Sequence, residues 1–480
     1  MLILHSLWGA TSALPSFPLL AGNIHCDILI IGAGLTGINC GYILQEAGAD
    51  VLLIDKGEIG TGITMGTTGK ISLQHGSRYD RLLKKNGPEL ASQYLEANRA
   101  GQNKYMEIIA KENVSCDLEE NPSYLYSLDD PSTIEDEVKT CEELHLPVTF
   151  LTETPLPIEI AAAAKMEGQY AFHPLRYLAA LAAKLKIFTH TRAIAINGHE
   201  VKTNHGTIHA NQIILACHYP FINAPGYYFM RMYQSRAYIL AYANVPNLRG
   251  MYIDEKTDGF SFRNWKDLLL FAGEDHRTGK NQEGGRYEKL RKTMADLYPQ
   301  GKEVYAWSNQ DCVPLDDIPY VGPFSLKMPN VYIATGFNKW GITNSMGAAL
   351  LLCDLIQGRP NPWSDVFSPQ RQPTLLPLFN LGFTSAGSLL RQKLYIPRFP
   401  AAVLAPGRGG IVEYKGEKYG IYRDESGKLF PVKAKCSHLG CQLEWNPDEK
   451  SWECPCHGSR FDYHGQVLNQ PAQVGLKDNG

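Results

Sequence analysis

Two short loops near the end of the chain, rich in cysteine and histidine, constrain the fold more than any other stretch. Cys436 and His438 form a C-x-H pair, and Cys454 and His457 form a C-x-x-H pair, with fifteen residues between the pairs. Two thiolates and two imidazoles on separate loops can bind zinc or an iron–sulfur cluster. Zinc ribbons and fingers normally use C-x-x-C or H-x3–5-H pairs, whereas here each loop provides one residue of each kind. Each loop can therefore place its Cys on one iron and its His on the other, with a structural zinc site as the alternative.

This pattern resembles the Rieske proteins of respiratory complexes, in which two cysteines and two histidines hold a [2Fe–2S] cluster. Each loop also carries a second cysteine, as those proteins do. The resemblance implies a disulfide between Cys441 and Cys456 that ties the loops together. The cluster ligands that it implies are Cys436, His438, Cys454 and His457.

The residues that follow the second loop bear on the reduction potential of such a cluster. By the same resemblance, the hydroxyl of Ser459 donates a hydrogen bond to a cluster sulfide. Position 461 is Phe, where high-potential members of the family carry a Tyr that donates another. Because fewer donors to the sulfurs lower the reduction potential, we expect a centre below the high-potential class.

Length and composition set outer bounds. A chain of 480 residues is expected to form two or three domains. The net charge of −3 and the lack of a basic block argue against a nucleic-acid partner. No apolar run approaches the ~18 residues that cross a bilayer, so no integral membrane segment is expected. With no signal segment and with its other cysteines scattered singly, the chain is expected to be cytoplasmic.

The other strong signal lies near the start of the chain. An apolar run at 26–31 leads into Gly32, Gly34 and Gly37, and an amphipathic helix and a second apolar run at 51–54 follow, ending at Asp55. Strand, G-x-G-x-x-G, helix, strand and acid in this order predict a dinucleotide site, with the pyrophosphate at the helix N-terminus and Asp55 on the ribose. A glycine turn in another α/β fold is the alternative.

A loop rich in Gly and Thr follows Asp55. It is not a P-loop, because Gly69 and Lys70 are followed by Ile71 rather than Ser or Thr. With the preceding fingerprint, it resembles FAD-dependent oxidoreductases of the D-amino-acid oxidase and glycine oxidase superfamily, which lay the flavin ring under such a loop. The loop residues implied to contact FAD are Lys56, Thr64, Thr67 and Thr68.

The same superfamily implies further FAD contacts far along the chain. Ala193 corresponds to a backbone position beside the adenine, and Ala216 to a small-residue turn under the cofactor. A strand that ends at Gly336 and leads into an apolar helix resembles the closing FAD motif, whose helix N-terminus faces the flavin N1–C2=O edge. The residues implied at that helix start are Trp340, Gly341, Ile342 and Thr343.

The predicted fold class is therefore an α/β FAD-binding domain of the Rossmann-like, glutathione-reductase type with an inserted antiparallel α+β substrate domain, followed by an all-β Rieske domain. The FAD-binding parts are predicted at about 24–75, 187–220 and 312–358, and the substrate parts at about 115–180 and 225–310. The predicted boundaries are an irregular lead-in at 1–23, the oxidoreductase at 24–358, a linker rich in Pro and Gly at 359–405 and the Rieske domain at 406–480.

Catalytic residues are less well defined by the sequence. Lys70 and His75 follow the FAD loop and are candidates near the flavin ring. Superfamily enzymes often hold a substrate carboxylate with Arg, which makes Arg231 and Arg236 candidates in the substrate domain. The alternative for each of these residues is that it packs or faces solvent.

A flavin removes two electrons as hydride, a cluster accepts one at a time, and reduced FAD can release its electrons singly. The whole chain resembles FAD-dependent oxidoreductases with a C-terminal Rieske domain. This resemblance implies a dehydrogenase for an amine or amino acid, with hydride transfer to flavin N5 and an external acceptor protein or quinone. The alternative is a Rieske flavoprotein reductase that takes electrons from NAD(P)H, although no second G-x-G-x-x-G is present. A redox sensor without turnover is a third possibility.

Overall fold

A computed structural model describes residues 6–371, 404–414 and 417–476. Two large sheets lie in the first of these ranges, here called the N-terminal domain. Two small sheets lie in residues 404–476, here called the C-terminal domain. Most of the linker predicted at 359–405 falls on residues 372–403, which lie outside the described residues.

The first large sheet is built around Ile24–Ile31, whose last four residues are all buried. Parallel neighbours on both sides explain this run, because a strand covered on both faces reads as continuous apolar sequence. Strand Met328–Thr335 pairs with Thr207–Leu215 and also with Tyr320–Ser325. In hydrogen-bonded order the main path is Ala193–Asn197, Glu200–Thr203, Thr207–Leu215, Ile24–Ile31, Val51–Ile54 and Lys186–Phe188.

Helices cover this sheet and close its core. The helical pattern at 78–112 forms two helices separated by Gly87, whose φ of 87° favours glycine. The longest apolar helix follows the last parallel strand, as the closing motif predicted. The helices packed on this part are Leu35–Glu46, Ile63–Gly66, Arg78–Asn86, Pro88–Lys111, Pro174–Ala182 and Gly341–Ile356.

The second large sheet carries the aromatic strands of the predicted substrate domain. It is mixed rather than purely antiparallel, because Met251–Asp254 pairs parallel to Ser123–Ser127. Helices Ser132–Glu143 and Arg286–Leu297 pack against it. In hydrogen-bonded order its strands are Lys302–Pro314, Met232–Ala243, Leu268–Arg277, Ser261–Trp265, Met251–Asp254, Ser123–Ser127, Ala162–Met166 and Thr149–Leu151.

The lead-in predicted to be irregular contains a short helix, Leu7–Ala10. Leu7 and Trp8 are fully buried, and the Trp8 indole packs edge-on against Trp265 at 5.6 Å. The Trp8 Nε1–H donates to the carbonyl of Thr67 at 2.5 Å. The lead-in is therefore part of the core beneath the Gly/Thr-rich loop, because a buried indole satisfies its N–H on that loop.

The first residues of the predicted linker also belong to the N-terminal domain. Helix Ser364–Phe367 buries Val366 and Phe367 in the main core. The guanidinium of Arg371 pairs with Asp316 at 2.7 Å. The domain therefore continues to at least residue 371, past the boundary expected at 358.

The C-terminal domain is all-β where the structure describes it. Its core is formed by the loop cysteines, Trp445, Trp452 and Phe461, with Trp452 and Phe461 fully buried. A third, short sheet of Lys70–Ile71, Tyr170–Ala171 and Glu119–Glu120 lies in the N-terminal domain. The C-terminal strands are Gly409–Tyr414, Glu417–Arg423 and Leu429–Lys433 in one sheet and Glu444–Asn446, Ser451–Glu453, Arg460–Asp462 and Val467–Asn469 in the other.

Within residues 6–371, 404–414 and 417–476, none of the helices has the length and apolar character needed to cross a bilayer.

Candidate functional site: a dinucleotide cavity beside a cysteine–histidine centre

A cavity of about 590 Å³ opens at the carboxyl ends of strands Ile24–Ile31 and Val51–Ile54. Ligands of open α/β sheets bind in this position, outside the strand ends. The cavity lining contains Gly32 and Asp55, which directly follow these two strands. The first sheet thus places the predicted dinucleotide residues around one continuous space.

The glycines of the fingerprint are required by close packing. A Cβ on Gly32 would lie 2.6 Å from the carbonyl oxygen of Ala216, and Gly32 has a φ of 115°. A Cβ on Gly37 would lie 1.8 Å from the carbonyl oxygen of Gly32. Helix Leu35–Glu46 starts after Gly34, which has no side chain to cap it, and the N–H of Leu35 donates to the hydroxyl of Thr64 at 3.2 Å. The other N–H groups of the first turn are available to a phosphate.

Asp55 organises the adjoining loop. Its carboxylate accepts hydrogen bonds from the N–H of Ala33 at 2.8 Å and from the N–H of Gly57 at 2.9 Å. Burial raises the pKa of Asp55, while these two donors oppose the shift. The carboxylate holds the start of the Gly/Thr-rich loop against the glycine turn and borders the cavity.

A second cavity of about 340 Å³ lies between the Gly/Thr-rich loop and the second large sheet. Gly66, Thr67 and Ile342 line both cavities, so the two spaces adjoin at the start of helix Gly341–Ile356. The floor of the second sheet contributes Tyr233 and Asp311 to the second cavity. A ligand that fills the first cavity can thus present one end to a molecule in the second.

The predicted catalytic candidates near this junction differ in their hydrogen bonds and in their ability to change protonation. His75 is buried; its Nε2–H donates to the carbonyl of Ser72 (2.9 Å), its Nδ1 accepts from the hydroxyl of Tyr94 (2.8 Å), and its ring stacks on Trp340 at 4.6 Å. Burial lowers the pKa of His75 to about 3, so its ring is neutral. Burial, aided by the charge of Arg263, lowers the pKa of Lys70 to about 7. Lys70 thus has an amine that can change protonation near neutral pH, whereas both nitrogens of His75 are engaged.

The two cysteine–histidine loops have matching backbone geometry. Cys436 N–H donates to the carbonyl of Cys441, and Cys454 N–H donates to the carbonyl of Ser459, both at 2.8 Å. The sulfurs of Cys441 and Cys456 form a disulfide between the loops. The structure therefore brings together all six loop residues predicted from the sequence.

The ligand atoms that the loops offer to a bound group are the histidine Nδ1 atoms and the thiols of Cys436 and Cys454. The Nδ1 atoms of His438 and His457 are buried and have no hydrogen-bond partner among the described residues. The two imidazole rings lie 5.1 Å apart. Cys436 and Cys454 are free, and their mutual hydrogen bond, with a smaller contribution from the Ser459 hydroxyl, lowers the pKa of the Cys436 thiol although burial opposes this shift. Two imidazole nitrogens and two sulfurs are thus left for a bound group.

The histidine face of these loops packs against the N-terminal domain. The Nε2 of His438 lies 2.8 Å from the Oδ1 of Asn223. The ring of Phe229 contacts both imidazoles edge-on, at 5.8 Å from His438 and 5.4 Å from His457. Gln310, which lines the dinucleotide cavity, donates to the carbonyl of Gly458 at 2.9 Å. The loops and the cavity are therefore separated by a single layer of side chains at this point.

A buried ionic network fixes the two domains to each other. Arg236 of the N-terminal domain pairs with Glu449, and their side chains are 2% and 8% exposed. Arg460 pairs with both Glu449 and Glu453 from within the C-terminal domain. Buried charges in proteins are normally paired in this way because an isolated one is costly. Arg236 and Arg460 also line the dinucleotide cavity.

Known protein families match both the N-terminal and the C-terminal domain. A family model described as FAD dependent oxidoreductase matches residues 27–355, which is more than half of the chain. The chain belongs to the FAD dependent oxidoreductase family. A second model, described as Rieske [2Fe-2S] domain, matches residues 397–478 of this oxidoreductase.

Among curated proteins, the oxidoreductase is similar to the Rieske 2Fe-2S iron-sulfur protein YhfW of Bacillus subtilis (strain 168). The two are 35% identical over 98% of this chain and 96% of that protein. The C-terminal domain alone is similar to the cytochrome b6-f complex iron-sulfur subunit 2 of Nostoc sp. (strain PCC 7120), at 38% identity over 19% of this chain and 54% of that protein.

Solved structures resemble the N-terminal domain in fold. Glycine oxidase from Geobacillus kaustophilus is 20% identical with a TM-score of 0.62, covering 72% of this chain and 99% of that one. L-proline dehydrogenase from P. horikoshii is 17% identical with a TM-score of 0.62, covering 74% and 98%. The fold class predicted for the oxidoreductase from its sequence is thereby confirmed.

The oxidoreductase binds FAD and a [2Fe–2S] cluster, and its residues fit both groups. The tight glycine turn and the helix N-terminus that follows it match a dinucleotide pyrophosphate. The two unpartnered Nδ1 atoms and two free thiols match the mixed ligand set of a Rieske centre. A structural zinc site, the alternative left open by the loop pattern, is not needed to explain these four atoms.

The structure distributes the predicted FAD residues over the two cavities. Gly37 and Gly336 line neither cavity. Gly37 allows close packing on Gly32, and Gly336 forms the turn with positive φ that ends its strand. The second cavity receives Thr67, Thr68, Trp340, Ile342 and Thr343, with Lys70 and His75. The residues that line the first cavity are Gly32, Gly34, Asp55, Lys56, Thr64, Thr67, Ala193, Ala216, Gly341 and Ile342.

The two arginines that were candidates for holding a substrate carboxylate lie elsewhere. Arg231 donates to the carbonyl of Pro369 at 2.6 Å, and its guanidinium packs over Tyr228 and Tyr320. Arg236 is committed to the interdomain ionic network. The physical reason is the same for both residues, since each guanidinium is already paired with protein groups outside the second cavity.

The sequence did not indicate the residues that line the cavities from the Rieske domain or from the second large sheet. Leu468 and Gln470 of the Rieske domain border the FAD cavity, and Gln310 and Lys339 border it from the N-terminal domain. No spacing rule connects these positions. A charged or amide residue inside an aromatic strand, as at Gln310, was the one local signal that could have drawn attention to them.

Proposed function

We propose that this protein is an FAD-dependent dehydrogenase that oxidises an amine or amino acid and passes the electrons singly through its Rieske cluster to an external acceptor protein or quinone. Bound FAD supplies the hydride acceptor at flavin N5, and the cluster supplies a one-electron acceptor. The residues of the chain bind the substrate, exclude water and bring the two redox groups together.

The observation that carries the proposal is the docking of the cluster loops on the FAD cavity. Gln310 lines the cavity and hydrogen bonds the second cluster loop, while Asn223 and Phe229 cover the histidines. Gln234, a neighbour of Gln310 in the sheet, donates to the carbonyl of His457 at 2.7 Å. A cluster ligand set held this way receives electrons from inside the molecule.

The second cavity suits a small substrate that carries charges of both signs. Five acidic and five basic side chains line it, so its formal charge is balanced. Lys339 pairs with Asp275 at 2.6 Å, and burial raises the pKa of Asp311 to about 6. Carboxylates of this kind can pair with a substrate ammonium, and the cations can pair with a carboxylate.

Lys70 is the side chain best suited to take a proton from the substrate amine. Its amine borders the second cavity and donates to the hydroxyl of Ser261. With a pKa lowered to about 7, a large fraction is neutral at physiological pH. A neutral lysine can accept the proton that an ammonium substrate must lose before hydride leaves its carbon.

The names of the structural neighbours support the substrate class. Glycine oxidase, L-proline dehydrogenase and the L-amino acid deaminase from Proteus vulgaris share the fold of the N-terminal domain. Each is named for an amino acid, and the dehydrogenase shows that the fold is not restricted to oxidases. Fold alone does not define a substrate, so the charge balance of the second cavity is the stronger support.

The test is an anaerobic titration of the purified holoprotein. Amino acids, N-methyl amino acids, polyamine conjugates, NADH and NADPH are added separately, and flavin absorbance and the Rieske EPR signal are recorded. We expect one amine to bleach the flavin and to produce the reduced cluster signal. Reduction of both centres by NAD(P)H alone would replace the dehydrogenase with the reductase, and failure of every donor would favour a redox sensor.

The cytoplasmic location expected from the sequence stays a prediction. Cell fractionation with an antibody against the chain would test it, and recovery with the membrane fraction would contradict it.

A further inference from the structure

Two polar side chains of the N-terminal domain, one buried and one half-buried, have no part in the reaction proposed above. They are Tyr219, which follows the small-residue turn under the FAD, and Arg277, at the end of a strand of the second sheet.

The hydroxyl of Tyr219 lacks a partner. Tyr219 is 1% exposed, and its hydroxyl oxygen is buried without a hydrogen bond to any residue that the structure describes. The ring packs in the same core cluster as Cys312 and Phe229, and Phe229 contacts both cluster imidazoles. Burial first, then the neighbouring Cys312 and Cys454, raise the pKa of Tyr219. A buried hydroxyl that stays unpaired is unfavourable, so this hydroxyl is available to donate a hydrogen bond.

Arg277 brings a positive charge to the same centre. Its guanidinium donates to the carbonyl of Cys456 at 3.1 Å, between two cluster ligands of the second loop. The same guanidinium packs over the ring of Tyr233 at 5.3 Å, and Tyr233 lines the second cavity. Arg277 is therefore held against the cluster loop by the substrate side of the molecule.

The Rieske domain itself offers few donors to the cluster sulfurs. Ser459 provides one hydroxyl, and Phe461 is fully buried in the domain core without one. Hydrogen bonds and nearby positive charge stabilise the reduced cluster, which carries one more negative charge than the oxidised cluster. Hydrogen-bond donors and positive charges supplied from another domain can therefore raise the reduction potential of the cluster, as a tyrosine at position 461 would.

We propose that the N-terminal domain sets the reduction potential of the cluster across the interface, with the Tyr219 hydroxyl as a hydrogen-bond donor to the sulfur ligands and the Arg277 guanidinium as a fixed positive charge. Both groups raise the potential. The expectation of a centre below the high-potential class counted only hydrogen-bond donors of the Rieske domain, and these added groups oppose it. The inference depends on the Rieske cluster and not on the identity of the substrate.

The test is an EPR-monitored redox titration of the full-length holoprotein with chemical mediators. The variants are Tyr219→Phe and Arg277→Gln. The matched controls are Tyr228→Phe, whose hydroxyl donates to Phe324 O in the same core, and Arg291→Gln, whose partners are Glu288 and Glu303. We expect each variant to shift the electron equilibrium of the cluster about tenfold toward the oxidised form, which is a fall of about 59 mV for a one-electron couple. The controls keep the wild-type potential.

The flavin potential, measured in the same titration, separates tuning from general damage. The inference requires the cluster potential to fall while the flavin potential stays constant. It is overturned if both variants titrate like the wild type, or if the flavin and the controls shift equally. Arg277→Gln and Tyr219→Phe act from different elements, so loss of the cluster in one variant leaves the decision to the other. Because the titration uses no substrate, its result is independent of the dehydrogenase proposal.

Discussion

Lys70 is the single side chain on which the proposed proton transfer depends. Its pKa is lowered from 10.5 to about 7, so the amine is protonated below that pH and neutral above it. We predict that the rate of anaerobic flavin reduction by the substrate rises with pH through about 7. Lys70→Met should remove this rise and slow the step by about 10²-fold or more, since a positioned base contributes that much.

Lys256→Met is the matched control for Lys70. Lys256 borders the same cavity, but it is exposed and paired with Asp129, which raises its pKa. Lys256 therefore stays protonated across the pH range in which Lys70 titrates. A pH profile that is unchanged in Lys70→Met would show that the proton goes elsewhere.

Gly37 makes a separate prediction about cofactor retention. A Cβ at this position would overlap the carbonyl oxygen of Gly32. Because this oxygen belongs to the backbone, it cannot move away as a flexible side chain could. Gly37→Ala should purify with little or no FAD, as measured by flavin released on denaturation. Gly410→Ala, whose Cβ would meet only Leu404 at 3.7 Å, should retain the wild-type content.

The N-terminal helix Leu7–Ala10 is a structural element of the flavin site although it precedes the first strand. Trp8 packs on Trp265 and His173 and hydrogen bonds the Gly/Thr-rich loop at Thr67. Trp8→Ala should lower the free energy of unfolding by about 3–5 kcal/mol, as for other large buried aromatics. Leu19→Ala, in the same lead-in but 51% exposed, should stay within about 0.5 kcal/mol. Denaturant unfolding measures both, and equal effects would contradict this role of the helix.

The ionic network couples the interface to pH. Burial raises the pKa of Glu449, but Arg236 and Arg460 outweigh it and hold the pKa at about 2, below the ordinary 4.5. Because the folded-state pKa is depressed, the stabilisation is fully present above pH 4.5 and is lost as the pH falls toward 2.

Glu449→Ala should therefore destabilise the protein by about 3–5 kcal/mol at pH 7, since it leaves two buried guanidinium groups undercompensated. The difference from wild type should shrink as the pH is lowered below 4.5. Glu288→Ala, which removes an exposed partner of Arg291, should change stability by less than about 1 kcal/mol. A pH-independent cost of Glu449→Ala in denaturant unfolding would argue against this charge pairing.

The sequence predicted the local elements of both cofactor sites well. The strand, glycine turn and helix at 26–48, and the two loops around Cys436 and Cys454, are each defined by residues close together in the chain. The ion pair of Arg236 with Glu449 was not predictable, because Glu449 belongs to another domain and only tertiary packing brings the two residues together. Trp8 was likewise assigned to an irregular segment, since a short helix with one Trp carries no periodic pattern.

In the whole molecule, the Rieske domain is docked so that its cluster loops and the FAD cavity share a wall. Gln310 and Gln234 join the wall to the second loop, and Asn223 joins it to the first. Rieske residues Leu468 and Gln470 complete the cavity lining. In the proposed function the chain therefore acts as one redox unit, in which electron transfer between the two groups needs no encounter between molecules.

The most direct test of this account is the rate of cluster reduction after rapid anaerobic mixing with a reducing substrate, followed by freeze-quench EPR at several protein concentrations. Flavin bleaching should come first, and the cluster signal should follow with a rate constant that does not depend on protein concentration. A rate that increases in proportion to protein concentration, or a cluster that stays oxidised while the flavin is reduced, would contradict transfer within one molecule.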